Sequence, residues 1–401
     1  MGTQRQHLAF PCSHFCLLLY PSPACPMGNR PNHLYSALAQ TLCGAPLGQQ
    51  ISTEMAQDQH PDQSPVTSME LLRECEEALR TRPARLHRAF ICQNISEDPH
   101  HRPIRVMQWN ILAQALGEGM DSFVRCPLEA LNWNERKYLI LEEILTYQPD
   151  VLCLQEVDHY FDTFQPILAR LGYHSTFCPK PCSPCLDLAN NNGPDGCALF
   201  FRHERFELLG TTHLHLAAMT LKTNQVAVVC TLRCRATRQT LCVAVTHLKA
   251  RSGWERLRSA QGHDLLSKLK NITQETRRTS MDDKVSGMDV PLLVCGDFNA
   301  EPSEDVYRRF ATSSLGLDSA YKRLSSDGQT EPPYTTWKIR PSGESCHTLD
   351  YIWFSRQHLC VDAVLDFPTA EQIGPDRLPS YNYPSDHLSL VCDFSFCSSP
   401  E

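Results

Sequence analysis

Several short stretches of this 401-residue chain end an apolar run on a residue able to do chemistry. They are QWNIL with Asn110, LQEV with Glu156, THLKAR with His247, Lys249 and Arg251, GDFN with Asp297 and Asn299, TLDY with Asp350, and SDH with Asp386 and His387. Strand ends and the loops after them build clefts, so carboxylates, imidazoles and cations placed there can converge. The donor types suit hydrolysis of a phosphoester, a reaction that needs phosphate charge neutralised, water activated and the attack held in line. Glu156 is a hard oxygen ligand of the kind Mg²⁺ takes, an ion that keeps several waters and needs only one or two protein carboxylates.

Each residue also has a plainer reading. Asn110 either supports metal or phosphate or closes its strand as a turn residue. Asp297 and Asn299, two apart, point the same way from extended chain, Asp297 to orient or deprotonate water and Asn299 to donate to phosphate oxygens; alternatively they make an Asx turn. The imidazole of His387 needs an orienting carboxylate, and Asp350 is the candidate. Asp386 would then face metal or water, although neighbours in a strand point to opposite sides. Lys249 and Arg251 follow His247 at alternating positions, which in extended chain aims all three one way. With Lys180 in FCPKP they form a phosphate clamp, Arg as a fork and Lys as a point charge, where any one of them alone would be a surface charge. Thr335, Thr336, Trp337 and Lys338 in PPYTTWK offer stacking and hydrogen bonds to a ligand, Trp337 being equally suited to a core.

The elements that must position these groups alternate in α/β fashion. The patterns predict strands at Ile104 to Trp109, Val151 to Gln155, Gly196 to Phe201, Val226 to Leu232, Thr240 to Thr246, Leu292 to Cys295, Thr348 to Phe354, Cys360 to Leu365 and Ser389 to Phe396. Helices are predicted at Asn134 to Tyr147, Tyr160 to Leu171 and Gly253 to Leu269, with a polar loop over Gln274 to Asp289. Many strands with few long helices imply two packed sheets with helices outside, and no GxGxxG opens a helix. The organisation expected is a disordered segment 1–63, a short helix and a Pro/His/Arg-rich linker over 64–103, and a catalytic domain at 104–397.

The net charge of −8 argues against affinity drawn from a broad basic surface, which long nucleic acids require, and favours a compact ligand in a local basic pocket. No stretch reaches membrane-spanning length without interruption. Among 20 cysteines, Cys153, Cys230, Cys242, Cys295 and Cys392 lie in apolar strand-like runs, which reads as core packing in a reducing compartment. The pair Cys182 and Cys185 has no second tight pair to complete a zinc site. The first acidic residue is Glu54, a transit-peptide trait, so mitochondrial delivery joins the cytoplasm and the nucleus as expected locations.

Taken jointly, in this order and spacing, the motifs resemble the endonuclease/exonuclease/phosphatase superfamily, and QWNILAQ, LQEVDHY and GDFNAEP resemble its carbon-catabolite-repressor deadenylase branch. The resemblance covers Ile104 to Phe396 and implies a two-sheet α/β sandwich, with Asp350 and His387 paired and His247 against the scissile phosphate. GPDGCALFF, AMTLKTNQVA, HTLDYIW and NYPSDHLSLVCDF carry it to members of the branch in which it implies Mg²⁺-dependent removal of the 2′-phosphate from NADP⁺ and NADPH and a link to circadian control of metabolism. There Lys180, Lys249 and Arg251 would hold the dinucleotide phosphates, and the PPYTTWK residues the adenosine side. The branch also implies a 3′ poly(A) exonuclease acting on mRNA. A non-catalytic adaptor for mRNA-regulatory proteins would be expected to have lost Glu156, Asp297, Asn299 or His387. A monomer is expected.

Overall fold

The computed structural model describes residues 67–93, 102–189, 191–279 and 289–397, all within one unit, Pro61–Glu401. The N-terminal segment, linker residues 94–101 and loop residues 280–288 lie outside the described residues.

One sheet has seven strands, in the order β1 (Phe90–Cys92), β14 (Leu359–Leu365), β15 (Leu390–Phe396), β2 (Ile104–Asn110), β3 (Val151–Val157), β5 (Gly196–Arg202) and β4 (Tyr173–Pro179). The second has six, in the order β10 (Leu317–Ser319), β13 (Asp350–Ser355), β9 (Leu292–Asp297), β8 (Thr240–His247), β7 (Leu221–Cys234) and β6 (Phe206–Ala218). A separate hairpin joins β11 (Thr336–Arg340) to β12 (Gly343–His347).

Period-two alternation decides which side chains meet. Val106, Cys153, Leu199, Val243, Cys295, Ile352 and Cys392 fill the space between the sheets. Their neighbours Met107, Trp109, Leu152 and Phe200 face outward onto Ile140 and Ile144 of the helix Trp133–Tyr147. On the other sheet Ala227, Val229, Ala244 and Trp353 share a cluster with Leu265 and Leu269 of the helix Glu255–Thr279. Apart from edge strand β6, both faces of both sheets are therefore largely covered, the layered sandwich expected from the sequence.

Several elements differ from expectation. The region read as helix and linker contains the helix Ser68–Ala78 and also β1, which pairs with β14 and so belongs to the first sheet. The helix starting at Glu255 runs through the first residues of the expected polar loop to Thr279. Strands β4, β6 and β10 and the β11–β12 hairpin were not expected; β6 reads FELLGTTHLHLAA, a largely exposed strand with little apolar signal. The five cysteines placed in strand runs are buried and free, while Cys182 is exposed and Cys185 buried. No described helix is long and apolar enough to cross a membrane.

Each sheet contains one parallel pair, β2 with β3 and β8 with β9, and all four strands end at the same place. Their pairing ends at Asn110 with Gln155 and at His247 with Asp297. Gly296 is required here, since a Cβ on it would lie 2.4 Å from the carbonyl oxygen of Thr246 on the neighbouring strand.

Candidate active site

The seam between the two strand-end pairs brings together Asn110, Glu156, His247, Asp297, Asp350, Asp386 and His387. Asn110 Nδ2 donates to Glu156 Oε1 and to Asp297 Oδ2, each at 3.0 Å, and so ties one sheet to the other. Glu156 sits at a register shift between β3 and β5 with φ 57°, a left-handed conformation uncommon for glutamate. The irregularity re-aims its side chain off the face that strand alternation would give it. Its other oxygen accepts from the Ala113 N–H at 3.3 Å.

His387 lies in the irregular segment before β15, and its Nδ1 is 2.8 Å from Asp350 Oδ2. Asp350 is fully engaged: Gln108 Nε2 donates to Oδ1 at 3.1 Å and the Thr335 hydroxyl to Oδ2 at 2.7 Å. With Nδ1 so held, the other nitrogen, Nε2, faces Asp297 Oδ2 at 3.8 Å. Burial works against charge on this imidazole, yet Asp350, Asp297 and Asp386 outweigh it and hold its pKa up at about 9.

His247 approaches Asp297 from the other side, Nε2 at 3.5 Å from Oδ2. Burial, reinforced by Lys180, keeps this imidazole well below its ordinary range and hence neutral. Lys180 Nζ lies 3.4 Å from His247 Nδ1; because an ammonium only donates, Nδ1 accepts and the ring proton belongs on Nε2, toward Asp297. Lys180 is itself buried and fixed by Asp195 Oδ2 at 2.6 Å. Two imidazoles in opposite protonation states thus flank one carboxylate. Burial pushes Asp297 up to about 6, partly opposed by His387, and Glu156 up to about 7, partly opposed by Lys180.

The remaining expected residues fall into place less simply. Thr335 and Thr336 do not line a ligand surface: both are fully buried, Thr335 bonded to Asp350 and Thr336 to the Asp386 carbonyl at 2.6 Å, so they position the acids. Lys338 is turned inward to pair with Asp386, where Arg340 also approaches to 3.7 Å. Although burial favours a neutral Asp386, Lys338, His387 and Arg340 hold it ionised, so these cations engage the carboxylate that the sequence offered to a metal. Trp337 is half-buried, its indole N–H bonded to Glu344 at 2.6 Å and one face covered by Arg377. The common aim expected of His247, Lys249 and Arg251 fails, because β8 ends at His247 and Arg251 has φ 79°. Lys249 is half-buried with Nζ 5.6 Å from the ring of exposed Trp254, and Arg251 is exposed. Asn299 is both turn and site edge: at φ 49° its N–H donates to Asp297 Oδ1 at 2.8 Å, closing the Asx turn, and Nδ2 donates to the Leu248 carbonyl at 3.2 Å.

Four further residues serve the site without a chemical signal of their own in the sequence: Asp195 holds Lys180, Gln108 holds Asp350, Ser385 ties the Asn110 and His387 segments, and Arg340 approaches Asp386. Gln108 and Ser385 carry a weak signal in standing next to a motif residue, in QWN and SDH; Asp195 carries none beyond its glycine neighbour.

The donor set fits a hard divalent cation. Glu156 and Asp297 carry carboxyls whose pKa values burial has raised, and a cation beside them would return both to the ionised form. Asp297, Asp350 and His387 also place ligand atoms within 4.8 Å of one another. Asp350 already accepts on both oxygens and His387 spends Nδ1 on it, so this second cluster is better described as an oriented imidazole beside an acid.

Comparison with known proteins gives this geometry a lineage. The model of the Endonuclease/Exonuclease/phosphatase family matches residues 107–387, from β2 to the imidazole of His387. The chain belongs to that family. Within it the chain is 63% identical to nocturnin of Xenopus laevis over 378 residues, 94% of either chain. The human nocturnin catalytic domain, solved with a bound sulfate anion, superposes with a TM-score of 0.65 at 59% identity over 79% of this chain and all of that one. ANGEL2, described as a 2′,3′-cyclic phosphatase and solved with adenosine-2′,3′-vanadate, matches at 25% identity and a TM-score of 0.61, covering 77% of this chain and 98% of that one. Family members are generally divalent-metal-dependent hydrolases, phosphatases or nucleases, and this chain is a nocturnin-like member.

Proposed function

We propose that this chain is a Mg²⁺-dependent phosphatase that removes the 2′-phosphate of NADP⁺ and NADPH, giving NAD⁺ and NADH. The observation that carries this reading is the placement of cationic and imidazole groups inside the fold. His247 and His387 flank Asp297, and Lys180 stands behind His247, all three buried, on a chain of net charge −8. A compact ligand ending in a phosphomonoester can place its charge in such a pocket, whereas a long RNA draws affinity from phosphates along a basic surface. That ANGEL2 is seen with vanadate at the 2′,3′ edge of adenosine supports chemistry on the ribose of an adenosine.

When bound, the cation would be held by Glu156 with Asn110 and Asp297 at its side, and would polarise the phosphoryl group. The protein groups do the rest. As the water oxygen bonds to phosphorus, the bond from phosphorus to the ribose 2′-oxygen breaks, and His387, cationic and steered by Asp350, gives its Nε2 proton to that departing oxygen. Neutral His247 presents its own Nε2 proton to a phosphoryl oxygen from the opposite side. Asp297, bonded by Asn110 and the Asn299 N–H and kept ionised by the cation beside it, accepts the proton of the attacking water. Burial, together with Lys180 in its pair with Asp195, holds His247 neutral, while half-buried Lys249 and exposed Arg251, next in sequence, are left to meet the distal phosphates.

As part of this reading the protein is a cytoplasmic monomer, with mitochondrial and nuclear pools, and its activity serves circadian and metabolic regulation. The deadenylase alternative shares the chemistry at an adenosine ribose. Mutual placement of Asn110, Glu156, Asp297 and His387 weighs against a purely adaptor role toward mRNA-regulatory proteins. The test is phosphate release from NADPH in Mg²⁺ beside shortening of a poly(A) oligonucleotide, with Glu156→Ala as control. Phosphate release from NADPH alone, lost in the control, supports the proposal. Shortening of poly(A) alone replaces it with the deadenylase, and neither activity returns the adaptor.

A further inference from the structure

Arg136 stands in the first turn of the helix Trp133–Tyr147, outside every motif that marks the site. Its side chain is fully buried, yet none of its hydrogen bonds goes to a carboxylate. Nε donates to the Pro384 carbonyl at 2.7 Å, and one terminal nitrogen donates to the Ile111 carbonyl at 2.8 Å and to that of Leu112. A guanidinium so deep in a protein carries a large desolvation cost, which a partner carboxylate usually offsets. Here Asp158, Asp386 and Glu118 offset it only in part, from beyond hydrogen-bond reach, and Nη1 has no partner among the described residues; the bonds the guanidinium does make all go to backbone oxygens, whose position in the chain is informative. Ile111 and Leu112 follow Asn110 directly, and Pro384 opens the segment Ser385, Asp386, His387.

Those two segments meet again one residue further on. The Ser385 hydroxyl donates to the Asn110 carbonyl at 2.6 Å and accepts from the His387 N–H at 3.1 Å. Leu112 has φ 60°, and its N–H donates to Asn110 Oδ1 at 3.1 Å, which orients the carboxamide bridging Glu156 and Asp297. A shift of either segment would therefore move Asn110 and His387 relative to each other. Lysine offers a point charge there, without the planar fork that reaches acceptors on both segments.

We propose that Arg136 is a positioning residue of the hydrolytic reaction, a buried fork that sets the register between the Asn110 loop and the Ser385–His387 loop. It touches no reacting atom. Its effect is carried by Asn110 and His387, and it rests only on the chain being a phosphoester hydrolase, whichever substrate is turned over.

The experiment uses the full chain with Arg136→Lys, which keeps charge and loses the fork, and Arg136→Met, which keeps bulk and loses both. Folded fraction is measured by circular dichroism, and kcat and KM are referred to folded enzyme. Both variants should lose about 100-fold in kcat with KM within about threefold, the pattern of misplaced catalytic groups rather than lost binding. Combining Arg136→Lys with Ser385→Ala should cost less in log kcat than the two changes apart, since both loosen one register. Hydrogen exchange supplies a readout independent of turnover: the amides of Leu112 and His387 should exchange about tenfold faster, those of β8 and β9 at the original rate. Unchanged kcat per folded molecule, or exchange accelerated equally throughout, would overturn the proposal. Wild-type enzyme inactive on both NADPH and poly(A) would count against the hydrolase reading, and the exchange pattern would still decide the role of Arg136.

Discussion

Replacing Asp350 by asparagine changes one atom and should move the working pH of the site. Asp350 is the largest of the influences that raise the pKa of His387, and burial opposes them all. From an ordinary 6.5 to about 9 the acids supply, net of burial, roughly 3 kcal/mol in favour of the imidazolium, at about 1.4 kcal/mol per pH unit. With the Asp350 charge removed and burial retained, the pKa of His387 should fall to neutrality or below. A folded-state pKa above the unfolded one means that protonated His387 stabilises the protein fully below about 6.5, and that this stabilisation is lost as pH rises through about 9. Activity that needs the imidazolium should follow the same group. In wild-type enzyme kcat should hold to about pH 8.5 and then fall; in Asp350→Asn the fall should begin near pH 7, leaving about a tenth of the activity or less at pH 8 with partial recovery at pH 6. The structure adds a cost. Asp350 accepts from Gln108, Thr335 and His387, and a carboxamide must turn its NH₂ toward one of those donors, which should lower stability by about 1–3 kcal/mol. The assay is phosphate release in saturating Mg²⁺ from pH 5.5 to 10, beside thermal melts at each pH. A profile unmoved by the substitution, with kcat intact, would refute the assignment of His387 as the cationic donor.

Other perturbations follow from the same geometry. Because Glu156 must lose a proton near pH 7 to accept a cation, Mg²⁺ should raise the melting temperature more at pH 8 than at pH 6, and Glu156→Gln should abolish the difference; equal shifts in both proteins would place the ion elsewhere. Asp195→Ala leaves Lys180 as a buried cation without its partner and should cost about 3–5 kcal/mol in denaturant unfolding together with most of the activity. Gly296→Ala forces a methyl group against the Thr246 carbonyl and should destabilise by several kcal/mol, roughly the upper range for overpacking, seen as reduced soluble yield and a lower melting temperature. Lys249→Ala with Arg251→Ala should change stability by less than about 0.5 kcal/mol while raising KM for NADPH; an unaltered KM would remove both from the phosphate clamp.

What sequence could and could not show follows from the range of each interaction. Asn110, Glu156, His247 and Asp297 were legible because each follows an apolar run, and two parallel strand pairs ending at one seam gather such residues. Asp350 and His387 were legible as a pair because an imidazole in this role needs a carboxylate. The threonines of PPYTTWK were misjudged because nothing local tells an inward hydroxyl from an outward one; Thr335 turns toward Asp350, its neighbour only across the fold. The common aim of His247, Lys249 and Arg251 fails because alternation presumes extended chain, and the positive φ of Arg251 breaks it. Asp195 and Arg136 left almost no trace, since one holds a lysine 15 residues back and the other holds backbone carbonyls, which every residue possesses. Strand β6 escaped because exposed strands need no apolar alternation.

Strand β15 occupies an interior place in the seven-stranded sheet, between β14 and β2, although almost the whole described chain separates it from β2 in sequence. The imidazole of His387 is delivered by the segment leading into that strand. A polypeptide stopped before Leu390 would carry every catalytic group, His387 included, but not the strand that anchors the His387 segment beside β2, and would leave the hydrogen-bonding edge of β2 open to pair with another molecule. Synthesis must pass β15 before any turnover begins, so products truncated ahead of it should be inert as hydrolases and prone to self-association. Strand β15 thus works as a proofreading step built into the topology, coupling competence for chemistry to the arrival of a strand made long after the one it pairs with.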